Sequence, residues 1–155
     1  MPGNQYTYSR FIYADADKIY RALTEPGALK IWRVPGEMTA AIHSFQLKVG
    51  GGYEMSLFYP GNDTLNTGKT RGKEDRFIAR YLSLEVNRKV TEAIRFITDQ
   101  PGFEKEMIME IELSPRANGT MVSITYKNLP EVINPEDNEI GTLSSLKKLA
   151  VYVAQ

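Results

Sequence analysis

The sequence has no cysteine among its 155 residues, so disulfide bonds, thiolate metal sites and cysteine nucleophiles are excluded. It also carries no net charge, because 19 Lys and Arg residues balance 19 Asp and Glu residues. That balance argues against nucleic acid or an anionic membrane surface as a partner. No apolar run approaches the ~20 residues of a membrane span, and the N-terminal "MPGNQYTYSR" lacks the apolar core of a signal peptide. We expect a soluble, cytoplasmic protein that does not insert into membranes.

Catalytic and cofactor motifs are also scarce. The glycine run 50–52 lacks the Lys and Ser or Thr of a P-loop, so it indicates a strand turn with positive φ. No GxSxG motif occurs, and a serine triad would have to use His43, the single histidine. No ligand-spaced metal motif surrounds His43 either. We expect no catalytic residues, metal or cofactor, and interpret His43 as a hydrogen-bonded histidine in the structure or at a pocket rim.

The sequence does contain a clear order of secondary structure. Alternation over 6–14 predicts a strand, and Asp15 is a candidate N-cap for a helix at 16–24. A second short helix after Pro26 would carry Leu29 and Trp32. Alternation and turn residues then predict six strands, at 38–48, 52–59, 73–83, 88–98, 104–114 and 119–127.

The C-terminal segment gives the strongest helix prediction. Asn134 supplies an N-cap and Pro135 the first helical residue, with a predicted end near 153. The predicted apolar stripe contains Ile140, Leu143, Leu146, Ala150 and Val153. A curled antiparallel sheet around this helix, about 30 Å long, would bury both apolar surfaces. The predicted fold class is α+β, with about six to seven strands and two short helices after the first strand, in a single domain over 1–155.

Three motifs resemble one protein family in combination. They are "YRALTEPGALKIW" at 20–32, "FQLKVGGGYEMSLFY" at 45–59 and "PEDNEIGTLSSLKKLAVYV" at 135–153. The chain is similar over nearly its whole length to homologues of the activator of the heat-shock chaperone's ATPase. These homologues belong to the START-like superfamily, also called SRPBCC, which includes the Bet v allergens.

The resemblance implies a helix-grip fold with a cavity between the sheet and the long helix. Members of the superfamily use such cavities for lipids, sterols, polyketides and other apolar molecules, and some are cyclases or hydrolases. Many relatives carry tryptophan in the last helix near Thr142 or Leu143, and this chain has none there. The helix side of the cavity would therefore be roomier.

Candidate ligand-binding residues come from the inward parity of the strands and from the last helix. Methionine and aromatic side chains often line adaptable apolar sites, although the same stripe also suits an ordinary core. Glu92 would point inward with a raised pKa, unless it lies in solvent or pairs with an arginine. The candidate arginines are Arg76, Arg80 and Arg95. The candidate cavity residues are Trp32, His43, Phe45, Tyr53, Met55, Leu57, Glu74, Glu92, Phe96, Met107, Met109, Tyr126, Leu143 and Leu146.

The leading hypothesis is noncatalytic binding of a small hydrophobic or aromatic molecule. Polar anchors would be His43, Tyr126 and either Glu74 or Glu92. The ligand would enter where Trp32 and the segment 60–72 approach the last helix.

Two alternatives remain open at this point. The first is a cyclase- or hydrolase-type enzyme that uses His43 with a cavity carboxylate. The second is a protein-interaction module, either a homodimer or a chaperone partner, with an exposed apolar patch that contains Phe58 and Ile78.

Overall fold

The computed structural model describes residues 3–60 and 74–155. In this part of the chain, seven strands and three helices follow one another in the predicted order. Their bounds are β1 Gln5–Ile12, α1 Ala16–Thr24, α2 Pro26–Trp32, β2 Thr39–Gln46, β3 Gly52–Phe58, β4 Glu74–Glu85, β5 Lys89–Phe96, β6 Met107–Arg116, β7 Gly119–Lys127 and α3 Pro135–Val153. The predicted α+β helix-grip class is confirmed.

The strands form one antiparallel sheet in the order β1-β7-β6-β5-β4-β3-β2. Strand β6 shows the predicted alternation, since Met107, Met109 and Ile111 are buried while the intervening residues are more exposed. One face of the sheet therefore packs on the core, and α3 lies against this inner face together with α1 and α2. None of the described helices is long and apolar enough to cross a membrane.

Helix α3 begins where the capping residues predict. The side chain of Asn134 accepts hydrogen bonds from the backbone N–H groups of Glu136 and Asp137, at 2.8 and 3.3 Å. These donors would otherwise lack intrahelical partners. Asp15 is the N-cap of α1, as predicted, although its side chain makes no capping bond. Only its backbone carbonyl takes part, by accepting from the N–H groups of the first turn.

The glycine run joins β2 to β3 through a turn, as predicted. Gly50 and Gly52 have φ angles of 87° and 149°. A Cβ atom on Gly52 would lie 1.9 Å from the carbonyl oxygen of Ala79 in β4. Glycine is required there because the neighbouring backbone leaves no room for a side chain.

The buried stripe of α3 differs from the predicted one. Leu146 and Val153 are buried as expected, but Ile140 is 68% exposed and Leu143 is 43% exposed. Leu143 therefore does not face the sheet, which corrects its assignment to the cavity. Apolar residues occur on more than one side of this helix, so spacing alone did not fix which side faces inward.

The inner face of α3 changes character along the helix. Its C-terminal half places Leu146, Leu149 and Val153 in the hydrophobic core. Its N-terminal half instead presents Thr142 and Ser145, which are buried polar residues. Threonine and serine are shorter than leucine, so this half of the helix fills less of the space above the sheet.

A matched pair of substitutions tests which side of α3 is buried. We expect Leu149→Ala to lower the free energy of unfolding by about 2–5 kcal/mol, because a fully buried leucine leaves a cavity. We expect Leu143→Ala, on the same helix, to lower it by less than about 1 kcal/mol, because that side chain is 43% exposed. Urea unfolding followed by circular dichroism measures both, and equal losses would contradict the observed orientation.

Candidate functional site

A cavity of about 1210 Å³ lies between the inner face of the sheet and the N-terminal half of α3. Exposed residues form part of its rim, among them Glu37, Pro101 and Ile140. The apolar wall contains Trp32, Leu57, Phe77, Ile94, Phe96, Phe103, Met107, Met109 and Ile124. The cavity exists where short polar side chains replace large apolar ones on α3.

Strand alternation and cross-strand pairing build the sheet side of the cavity. Ile94 pairs with Met107, and Met109 pairs with Tyr126, so inward side chains of three adjacent strands meet on one surface. The ring of Phe96 lies 6.2 Å from that of Phe77 and 5.3 Å from that of Phe103. These are edge-to-face distances, typical of stable aromatic clusters. One part of the wall is therefore aromatic and the other is methionine-rich.

Helix α3 contributes polar groups to the opposite wall. The hydroxyl of Tyr126 lies 2.9 Å from that of Thr142, and Thr142 donates to the carbonyl oxygen of Asn138 at 2.7 Å. Because the Thr142 proton is used in this way, Tyr126 donates to Thr142. Burial raises the pKa of Tyr126, which keeps the phenol protonated. The side-chain amide nitrogen of Asn138 is buried and has no hydrogen-bond partner among the described residues.

A buried ion pair lies beside the cavity. The carboxylate of Glu92 is 3.0 Å from Nη1 of Arg33, and its two oxygens are 2.9 and 3.0 Å from the hydroxyl of Tyr53. Arg33 also donates to that hydroxyl, and its guanidinium lies 5.4 Å from the ring centre of Phe77. Glu92 is 1% exposed. Burial raises the pKa of Glu92, while the positive charge of Arg33 opposes this shift.

The partner of Glu92 is not among the arginines predicted for it. Arg76 pairs with Glu54, and Arg80 pairs with Glu106. These pairs lie on the outer face of the sheet, which is the face opposite α3. Arg33, directly after the end of α2, pairs with Glu92 instead. The partner therefore comes from a distant part of the chain and not from β4 or β5, where the predicted arginines lie.

Hydrogen bonds to α3 hold the loop that follows α2 at the mouth of the cavity. Lys148 donates from Nζ to the carbonyl oxygens of Val34 and Gly36. The backbone N–H of Gly36 donates to the hydroxyl of Ser144 at 3.1 Å. Desolvation lowers the pKa of Lys148. This loop includes Pro35, which lines the cavity.

Six predicted candidates line the cavity and eight do not. Those in the wall are Trp32, Leu57, Phe96, Met107, Met109 and Tyr126. Phe45, Tyr53, Met55, Glu92 and Leu146 pack in or against the core without reaching this wall. His43 and Glu74 lie elsewhere, as does the exposed Leu143 already described. The predicted entry segment 60–72 lies outside the described residues beyond Pro60, which lines the cavity.

His43 and Glu74 lie on the outer face of the sheet, so their assignment to the cavity is wrong. The pairing of β2 with β3 shifts register at His43, and this irregularity breaks the parity that it was expected to share with Phe45. His43 is exposed, and its Nε2 lies 2.8 Å from the hydroxyl of Ser56, which donates to Glu74. A catalytic pair of His43 with a cavity carboxylate is therefore not formed.

The sequence analysis missed several residues of this site, among them Asp75, Phe103 and Arg33. Asp75 rather than Glu74 points inward, and it accepts a hydrogen bond of 3.0 Å from the hydroxyl of Tyr59. Asp75 lies two residues before Phe77 in β4, so strand alternation could have predicted that both side chains point inward. Phe103 and Arg33 lie outside the strands, where alternation gives no information about direction.

Comparisons with known proteins agree with this architecture. The family described as "Activator of Hsp90 ATPase homolog 1-like protein" matches residues 13–154, and the chain belongs to this family. The predicted START-like assignment is thereby confirmed. No curated protein matches the sequence.

Several solved structures share the fold. A crystal structure of a protein from Chromobacterium violaceum is 29% identical, covers 98% of this chain and 99% of that chain, and has a TM-score of 0.83. A solution structure of an AHSA1-like protein from Aeromonas hydrophila is 12% identical, covers 97% of this chain and 92% of that chain, and has a TM-score of 0.74. The second likeness shows the fold alone.

The buried carboxyl gives a pH-dependent prediction. The pKa of Glu92 in the folded protein lies above its ordinary value of 4.5. The folded state therefore holds this proton at pH values where the unfolded chain has lost it, and stability falls as pH rises through that interval. We expect Glu92→Gln, which cannot ionise, to gain stability relative to the wild type as the pH rises from 4.5 upward.

Urea midpoints of both proteins across this range measure the effect. Glu139→Gln, on the exposed side of α3, controls for the loss of a carboxylate in general. If the difference in urea midpoint between Glu92→Gln and the wild type stays the same at every pH, burial of Glu92 does not set its protonation.

Proposed function

We propose that this protein binds a small hydrophobic molecule between the sheet and α3, without catalysing a reaction. The observation that carries the proposal is the cavity of about 1210 Å³ with its wall of aromatic and methionine side chains. Sites for small molecules are typically about 300–1,000 Å³, mostly apolar, with a few polar groups that fix orientation. The space therefore suffices for a ligand of several rings or a medium-length chain.

Apolar burial would drive the binding. Transfer of apolar surface from water contributes about 25 cal/mol per Å², so a ligand that buries about 300 Å² gains about 7 kcal/mol before ordering costs. Met107 and Met109 support this proposal because flexible thioether side chains adapt to ligands of different shape. The Phe77, Phe96 and Phe103 cluster offers ring faces and edges to an aromatic ligand.

The polar groups near the cavity favour binding over catalysis. The Glu92 carboxylate is engaged by Arg33 and Tyr53, and burial keeps Tyr126 protonated. The enzyme considered from the sequence would use His43 as its base, and His43 lies on the other face of the sheet.

The outer face of the sheet gives less support to an interaction module. Phe58 and Ile78, the predicted patch, are both half-buried, and the Glu54–Arg76 ion pair covers part of the same face. Large exposed apolar patches are the usual mark of such surfaces. We retain a cytoplasmic location in the proposal, because a chain without cysteine suits a reducing compartment.

A pair of variants at Ser145 tests the proposal. Ser145 is buried and lines the cavity from α3. We expect Ser145→Leu to weaken binding of apolar probes at least about tenfold, because the larger side chain occupies the space that a guest needs. Ser145→Ala, which adds no volume, should bind as the wild type does. Both variants should keep or raise thermal stability, because alanine and leucine are better helix formers than serine.

Thermal-shift assays with a library of lipids and aromatic molecules, followed by native mass spectrometry of the hits, provide the readout. Absence of any stabilising member for the wild type, or equal binding by Ser145→Leu, would overturn the proposed function.

A further inference from the structure

We propose that the cavity selects neutral apolar molecules that carry a hydrogen-bond-accepting oxygen, such as ketones, esters and amides, over hydrocarbons and over carboxylic acids. This inference rests on the proposed binding function and specifies the ligand class. It follows from two sets of unused donors in the cavity wall and from the charges around them.

The first unused donors belong to Arg33. Its hydrogen bonds to described residues all leave from Nη1, toward Glu92 and Tyr53. A guanidinium has five N–H groups, so the N–H groups on Nε and Nη2 have no described acceptor. Arg33 lines the cavity, and its side chain is 11% exposed. An oxygen on a ligand can complete the hydrogen bonding of this partly buried cation.

The second unused donor is the side-chain amide of Asn138. Its nitrogen is buried, lacks a partner among the described residues, and belongs to a residue that lines the cavity. A buried donor without an acceptor is unfavourable, and an accepting oxygen on the ligand relieves this.

The charges in the wall exclude an acid as the preferred ligand. Arg33 is the only lysine or arginine among the described lining residues, and Glu92 already pairs with it. Two exposed acidic side chains at the rim, Glu37 and Asp137, also line the cavity. An ionised ligand would lose its hydration and add another negative charge to this wall. A neutral carbonyl accepts the same hydrogen bonds without either penalty.

Three probes that share a naphthalene ring separate the ligand classes. Acetylnaphthalene is a neutral ketone, ethylnaphthalene is its hydrocarbon counterpart, and naphthoate is the anion at about pH 7.5. Isothermal titration with the full chain measures all three dissociation constants. We expect the ketone to bind about tenfold or more tightly than the hydrocarbon, with naphthoate weakest, because the hydrocarbon leaves buried donors unpaired.

Each outcome of this titration decides a different question. Ethylnaphthalene binding as tightly as the ketone, or naphthoate binding most tightly, overturns the inference and leaves the proposed function standing. Failure of all three probes, together with failure of the wider library, overturns the proposed function as well.

Two variants test whether Asn138 and Arg33 cause the preference for the ketone over the hydrocarbon. We expect Asn138→Ala to reduce the ketone-to-hydrocarbon affinity ratio several-fold while hydrocarbon affinity stays the same. Stability should not fall, because the deleted nitrogen has no partner. Glu139→Ala, an exposed neighbour on α3, is the matched control and should keep the wild-type ratio.

Arg33→Lys retains a cation for Glu92 but removes the planar fork of donors. It should lower the same ratio in a folded protein, as verified by circular dichroism. An unchanged ratio in both Asn138→Ala and Arg33→Lys overturns the assignment of the preference to these donors.

Discussion

The distance at which α3 is held from the sheet governs whether a cavity exists. Large side chains at the C-terminal end of the helix, Leu146 and Leu149, fill the space above the sheet. Toward the N-terminal end, the Tyr126–Thr142 hydrogen bond spans the gap with two polar side chains. This bond joins helix to strand without filling the region around it. A core and a cavity therefore coexist under one helix because its inner face changes from large and apolar to short and polar.

The ion pair of Arg33 with Glu92 connects this arrangement to the mouth of the cavity. A buried carboxylate requires a partner, because an unpaired charge in the interior is strongly unfavourable. The partner lies at the end of α2, so the pair ties this helix to the middle of the sheet. Lys148 holds the next few residues against α3. One short segment is thus fixed to both the sheet and α3, and it presents an arginine to the cavity.

The fold followed from local patterns, whereas the site depended on contacts between distant residues. Alternation, glycine turns and the Asn134 cap each act over a few residues, so their elements were predicted within a few positions. The register shift at His43 turned its side chain to the outer face, whereas alternation predicted the inner face. Apolar residues lie on several sides of α3, so their spacing wrongly predicted that Leu143 faces the sheet. Strand alternation correctly predicted that Glu92 points inward. Its partner could not be read from the sequence, because Arg33 is 59 residues away in the chain.

Methionine methyl groups offer the most direct measurement of the central claim, that α3 leaves room for a guest above the sheet. In protein labelled with ¹³C at the methionine methyls, nuclear Overhauser contacts from bound acetylnaphthalene report which residues it touches. We predict contacts to Met107 and Met109, which line the cavity, and none to Met55 in the core or Met121 on the outer face. Contacts to Met121 alone would contradict the account.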